Sequence, residues 1–160
     1  AMQRSLVGSE MCIRDRSTSG MAFYLDGSLI TWASQKQHSV ALSSCEAEFM
    51  AATAAACQGV WLRGLVRELT SQEVDLVTIY VDNKYAIALM KNPVFHGRSK
   101  HIDIRFHFIR ECVERGEITG KHVCTEEQRA DILTKALARV KFENMREILG
   151  VENLMQASSN

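Results

Sequence analysis

The feature that most constrains this chain is the stretch from Ser43 to Leu69. Ser43 followed by Glu46 is a capping-box pattern, with a serine at the N-cap and a glutamate three residues on. Apolar residues then recur at Cys45, Phe49, Ala52, Ala56, Leu62, Leu65 and Leu69, which predicts one long helix over about 44–69. Around Glu48 the neighbours three, four and seven positions on are Ala51, Ala52 and Ala55. Such small side chains let a helix approach a sheet closely.

Strands to build that sheet flank the helix. Met21–Leu25 and Leu29–Trp32 are short β-type runs joined by Asp26-Gly27, a hairpin signal. Leu76–Val81 reads as a buried strand with Val77, Ile79 and Val81 on one face. Ile118–Val123 reads as a further strand. Helices are expected over about 83–91, 102–115 and 140–149. Another should run from the capping-box pair Thr125 and Gln128 to about 138. Strands and helices interleave after an opening hairpin, so the fold class is α/β, a mixed sheet with helices packed on it. The domain boundaries read as a leader over 1–16 without periodicity, one domain over 17–150, and a tail over 151–160.

Composition narrows the function. Lys and Arg number 19 against 19 Asp and Glu, so the chain is not a basic nucleic-acid binder overall and any such contact must be local. The stretch from Lys91 to Arg110 allows one: five Lys or Arg and three His stand against Asp103 alone, although a solvated loop and helix face would look the same. The five cysteines show no C-x-x-C spacing, which argues against zinc and a disulfide framework. No secretion signal is recognised and no apolar run approaches the roughly 20 residues of a membrane span, so an intracellular location and no membrane partner are expected.

Three carboxylates draw attention by position. Glu48 sits in the first turns of the long helix, where the helix dipole favours negative charge. Asp82 ends an apolar strand, on the side where α/β sheets gather ligands. Asp131 shares a strip with Gln128 and Lys135. Each also has an ordinary reading: a solvent-facing helix acid, the N-cap of the next helix (for which Asn83 competes), and a surface acid. If the sheet brings them together, they become oxygen donors of the kind that hold Mg²⁺.

At this point the residues resemble a known family. The stretches STSGMAFYLDGSLITWASQKQ, VALSSCEAEFMA, IYVDNKYAIALMKNPVFHGRSKHIDIRFHFIRE and CTEEQRADILTK, within residues 17–149, resemble the ribonuclease H domain of copia-type retrotransposon Pol polyproteins. The resemblance implies a ribonuclease H-like five-stranded mixed sheet flanked by helices, and metal-dependent endonuclease cleavage of RNA in RNA–DNA hybrids. It implies a two-metal site for Mg²⁺ or Mn²⁺, with Glu48, Asp82 and Asp131 as catalytic and metal-binding carboxylates. It also implies an RNA–DNA hybrid and the reverse transcriptase domain of the same polyprotein as partners, and contacts to nucleic acid from Arg98, Lys100, His101 and Arg105. Phe106 and Phe108, at helical spacing with Ile102 and Ile109, read as core rather than as stacking platforms.

Two departures qualify that reading. The family carries a fourth carboxylate on its first, central strand, shortly before the STSG stretch. Here QRSLVGSEMCIRDR stands in its place and resembles translated adaptor or vector sequence. The sheet is therefore expected to lack its first strand, the leader to be poorly packed, with Ser5–Gly8 the segment able to fill the slot, and cleavage to be impaired. The alternative is an inactive remnant that at most binds nucleic acid, or a translated fragment without function. The second departure is the short loop at Cys124 and Thr125, where many ribonucleases H carry a mobile histidine; His122 is assigned no role.

Overall fold

A computed structural model of the chain describes residues 4–10, 16–91 and 100–151. Five strands form one sheet: β1 (Arg4–Glu10), β2 (Thr18–Leu25), β3 (Ser28–Lys36), β4 (Val77–Val81) and β5 (Ile118–His122). Their order across the sheet is β3-β2-β1-β4-β5. The β1–β2 and β2–β3 pairs are antiparallel, whereas β1–β4 and β4–β5 are parallel. The mixed α/β class expected from the sequence is the one observed.

The central strand corrects one expectation. The sheet does not lack its first strand: Arg4–Glu10, which contains the Ser5–Gly8 segment expected to be able to fill that slot, pairs along its length with β2, from Arg4↔Tyr24 to Glu10↔Thr18. Its other edge meets β4 through Ser5↔Ile79, Leu6↔Tyr80 and Val7↔Val81. The physical reason is that a strand between two others is held mainly through its backbone. The facing edges of β2 and β4 each present N–H and C=O groups that must be paired once buried. RSLVGSE lacks alternation, yet it needs only to be extended and small where the neighbours are close. Val7 is fully buried in the main core.

That core lies on one face of the sheet, under α1 (Ser44–Thr70), α2 (Lys84–Lys91) and α3 (Lys100–Glu114). The capping box at Ser43 forms in part: Ser43 Oγ accepts from Glu46 N at 3.1 Å, while Glu46 Oε2 accepts from Leu42 N at 2.8 Å. The small residues of α1 serve as expected. Ala47, Ala51, Ala52, Ala55 and Ala56 are buried, and a Cβ on Gly59 would lie 3.0 Å from Val77 Cγ1. By length and composition alone α1 is apolar enough to cross a membrane, which the sequence reading had not credited; in this fold its apolar stripe is spent on the sheet. Phe106 is buried and stacks on Phe49 with ring centroids 4.2 Å apart, and Ile109 is fully buried, so these α3 residues are core.

The other face is covered by less. Two short 3-10 turns, Thr125–Glu127 and Arg129–Leu133, and α4 (Arg139–Leu149) pack on Ala22, Tyr24 and Val123. A continuous helix from Thr125 was expected here. The chain breaks at Gln128, whose backbone is extended at φ −72°, ψ 93°. Its side chain turns inward instead: Nε2 donates to Val7 O at 2.6 Å, and Oε1 accepts from Ala130 N at 3.4 Å. The buried carbonyl of β1 wins over the helical bond. The second turn sits very close to β2. A Cβ on Gly20 would be 2.7 Å from Ala130 O and 2.8 Å from Thr134 Cγ2, so only glycine fits there.

Candidate functional site

Asp82 follows the last residue of β4. It does not cap α2, because Asn83 Oδ1 accepts from Tyr85 N at 3.0 Å and Ala86 N at 3.2 Å. Freed from that role, Asp82 lines an open cavity of about 410 Å³ together with Glu48, Ser44, Asn83, Lys84, Tyr85 and His122. Burial pushes the Asp82 carboxyl above its ordinary value, and the negative charge of Asp131 adds to that. A backbone hydrogen bond, Lys135 and His122 act in the opposite direction. Glu48 is buried, projecting from the first turns of α1. The thiol of Cys45 beside it is raised by its own burial, then by Glu48 and Glu46. His122, left without a role by the sequence reading, thus belongs to the same cavity; its place at the very end of β5 was the available signal.

Asp131 is buried in the turn Arg129–Leu133. Its Oδ2 lies 3.1 Å from Lys135 Nζ and 3.8 Å from Lys141 Nζ. Lys135 was already on its strip in the sequence; Lys141 arrives from α4. The turn is positioned by Gln128, which ties it to β1.

Gly8 completes the picture. It is one residue beyond Val7, which pairs with Val81, so it lies beside Asp82 in the parallel register. It is buried, and a Cβ built on it would point at Asp131, 3.3 Å from Oδ1. Any side chain at position 8 would therefore project into the carboxylate region. Gly8 offers none.

The three sequence-predicted carboxylates are thus arranged in pairs: Glu48 and Asp82 share a cavity, and the charge of Asp131 helps to raise the Asp82 carboxyl. Among the described residues, no group of three or more His, Cys, Asp and Glu side chains is gathered to hold a metal ion. Asp131 is compensated by lysine ammonium groups, and position 8 supplies no oxygen. The residues present do not fit the two-metal centre that the resemblance implied.

Of the four residues expected to touch nucleic acid, Arg98 lies outside the described residues. Lys100 and His101 open α3. Arg105 is half-buried on α3 and lines a cleft of about 50 Å³ with Gln35, Lys36, Gln37 and His38 from the end of β3, along with Ser19, Met21, Met50 and Ala54. Gln37 is buried there, its Nε2 donating to Ser19 Oγ at 2.8 Å and to Ala47 O at 2.9 Å. Lys36 and His38 were missed from sequence, because nothing in the order of residues brings the end of β3 beside α3.

Comparison with known proteins agrees with this architecture. The chain superposes on LC11-RNase H1 in complex with RNA/DNA hybrid with a TM-score of 0.59 at 14% identity, covering 82% of this chain and 92% of that one. The N-terminal RNase H domain of a Mycobacterium tuberculosis protein, solved as a fusion with maltose binding protein, gives a TM-score of 0.61 at 10% identity over 92% and 98% of the two chains. The chain has the ribonuclease H fold. In sequence it is 40% identical over 138 residues to the retrovirus-related Pol polyprotein from transposon TNT 1-94 of Nicotiana tabacum, a match covering 86% of this chain and 10% of the polyprotein. It is 43% identical over 135 residues to that from transposon RE2 of Arabidopsis thaliana, covering 84% and 9%. Its homologues are retrovirus-related Pol polyproteins from plant transposons, and the chain spans about a tenth of their length. No family model matches the chain.

Proposed function

We propose that this chain is a copia-type retrotransposon ribonuclease H domain that recognises RNA–DNA hybrids and whose cleavage of the RNA strand is impaired by Gly8. The observation that carries the reading is the position of that glycine. It lies in the central strand, beside Asp82 and facing Asp131, where a fourth carboxylate would complete the set. The fold implies a divalent metal in its family; Mg²⁺ or Mn²⁺ is the ion that the carboxylates would favour once an oxygen donor at position 8 completed the set. Glu48, Asp82 and Asp131 are the residues assigned to that chemistry. Lys135 and Lys141 offset the charge of Asp131 from 3.1 and 3.8 Å. Recognition of the hybrid needs no such completion. The cleft at Lys36, His38 and Arg105 gathers basic groups from two elements, with no acid among its lining residues. That charge pattern suits a phosphate backbone.

The test of recognition is fluorescence anisotropy with labelled RNA–DNA hybrid, duplex DNA and single-stranded RNA across a salt series. The hybrid is expected to bind most tightly, with affinity falling steeply as salt rises. Arg105→Ala should weaken binding and reduce the salt slope by about 1, the signature of one lost phosphate contact. Equal affinity for all three nucleic acids, or a salt slope unchanged by Arg105→Ala, would count against the reading.

A further inference from the structure

The two faces of the sheet are unequally covered. On the face carrying the 3-10 turns and α4, an open pocket of about 300 Å³ remains between β3 and α4. It is lined by Leu29, Trp32, Ile132, Leu133, Phe142, Leu149, Val151 and a single charged residue, Arg146. Trp32 is 60% exposed and Phe142 43%, so large apolar surface faces water here. That is costly on a folded protein unless something covers it. The carboxylate site does not use this pocket; none of its residues line it.

Two observations say what the occupant must carry. Arg146 is the one charged residue of an otherwise apolar lining. A guanidinium in such a setting pairs best with a carboxylate, which it can hold through two parallel hydrogen bonds. In addition, β3 is an edge strand of the sheet, paired among the described residues with β2 alone. An edge offers backbone groups that a second extended chain can pair with, which a small molecule cannot match. We propose that the pocket is a docking site for an extended peptide segment that lays an apolar side chain against Trp32 and Phe142 and a carboxylate on Arg146. In such a segment the two side chains stand two positions apart, since alternate residues of a strand share a face.

Trp32 provides the readout, because Trp61→Phe leaves it as the only remaining one of the chain's two tryptophans. The probe is a capped pentapeptide with phenylalanine and glutamate two positions apart. Its counterpart carries glutamine in place of glutamate, and phenylpropionate serves as a free aromatic carboxylate. The glutamate peptide is expected to give a saturable blue shift of Trp32 emission, and the glutamine peptide to bind at least about tenfold more weakly. Arg146→Met should erase that difference while leaving the weaker apolar binding. The glutamate-to-glutamine comparison uses an unaltered pocket, so it stands even if the Arg146 variant folds poorly. Absence of any saturable shift would overturn the proposal, as would equal affinities for the two peptides. Phenylpropionate binding as tightly as the peptide would overturn it in favour of a small anion. A concentration-dependent blue shift without peptide would overturn it in favour of a second copy of this chain.

Discussion

Replacing Gln128 by Met tests the link that joins the sheet to the site. Gln128 is fully buried, so its amide has no access to water. Its Nε2 donates to Val7 O at 2.6 Å in β1, and its Oε1 accepts from Ala130 N at 3.4 Å. Methionine keeps the volume and removes both bonds, together with the longer contact of Nε2 to Tyr80 O at 3.5 Å. The short bond to Val7 is worth about 1 kcal/mol net, and the buried carbonyl left behind costs about 1–3 kcal/mol. The long bond to Ala130 adds little. The expected loss is therefore about 2–4 kcal/mol. For a domain of this size that corresponds to a fall in Tm of roughly 5–15 °C. The assay is urea denaturation followed by circular dichroism, in which the midpoint should fall with an unchanged slope. Gln72→Met, at an exposed position outside any core, is the control and should stay within about 0.5 kcal/mol. A Gln128→Met midpoint as close to the parent as that of the control would refute the reasoning, and with it the claim that β1 is pinned by this amide.

Two further outcomes follow from the same structure. Gly20→Ala should cost about 1–3 kcal/mol or more, because its Cβ would sit 2.7 Å from a backbone oxygen of the turn carrying Asp131, whereas Gly64→Ala, with nothing within 4 Å on α1, should be neutral or stabilising; thermal melts of the two variants decide. Asp82→Asn should stabilise the fold at neutral pH: burial and Asp131 raise the carboxyl in the folded state, so the native form holds more protons and stability falls as pH rises through that raised value, and the gain over the parent should vanish below the ordinary aspartate value of 3.8, as measured by denaturation across a pH series.

Much of the fold was legible in the order of residues. The capping box at Ser43, the alanine face of α1 and the Asp26-Gly27 hairpin each carry a local signal with one structural meaning. They correspond to observed elements, with Asp26 at φ 48° and Gly27 at φ 84° in the turn. The paired cavity position of Glu48 and Asp82 was approached in the same way, through a helix start and a strand end. What the sequence hid was held by long-range backbone contacts. RSLVGSE has no alternation, and its place between β2 and β4 is decided by unpaired ladders on strands distant in the chain. Gln128 looked like part of a capping box with Thr125 because the spacing is right; its Oε1 caps the next turn at Ala130, while its Nε2 is claimed by the carbonyl of Val7, 121 residues away in the chain. Lys141 and Lys36 reached their sites by the same route, through packing that spacing alone does not encode.

The central claim is that a carboxylate set lacking its first-strand member is what limits this chain, and cleavage of an RNA–DNA hybrid tests it most directly. Three proteins would be compared at equal folded concentration in Mg²⁺ and in Mn²⁺: the chain itself, Gly8→Asp, and Gly8→Asp combined with Asp82→Asn. A Cβ at position 8 would lie 3.3 Å from Asp131 Oδ1, so Asp131 must give by a few tenths of an ångström to admit the new side chain. The account predicts cleavage at least about a hundredfold faster in Gly8→Asp than in the parent, on the order of one lost electrostatic contribution to a phosphoryl-transfer site. It also predicts a return to the parent rate in the double variant. Equal rates for the parent and Gly8→Asp, both folded, would contradict the assignment of position 8, and cleavage undiminished by Asp82→Asn would contradict the carboxylate site as a whole.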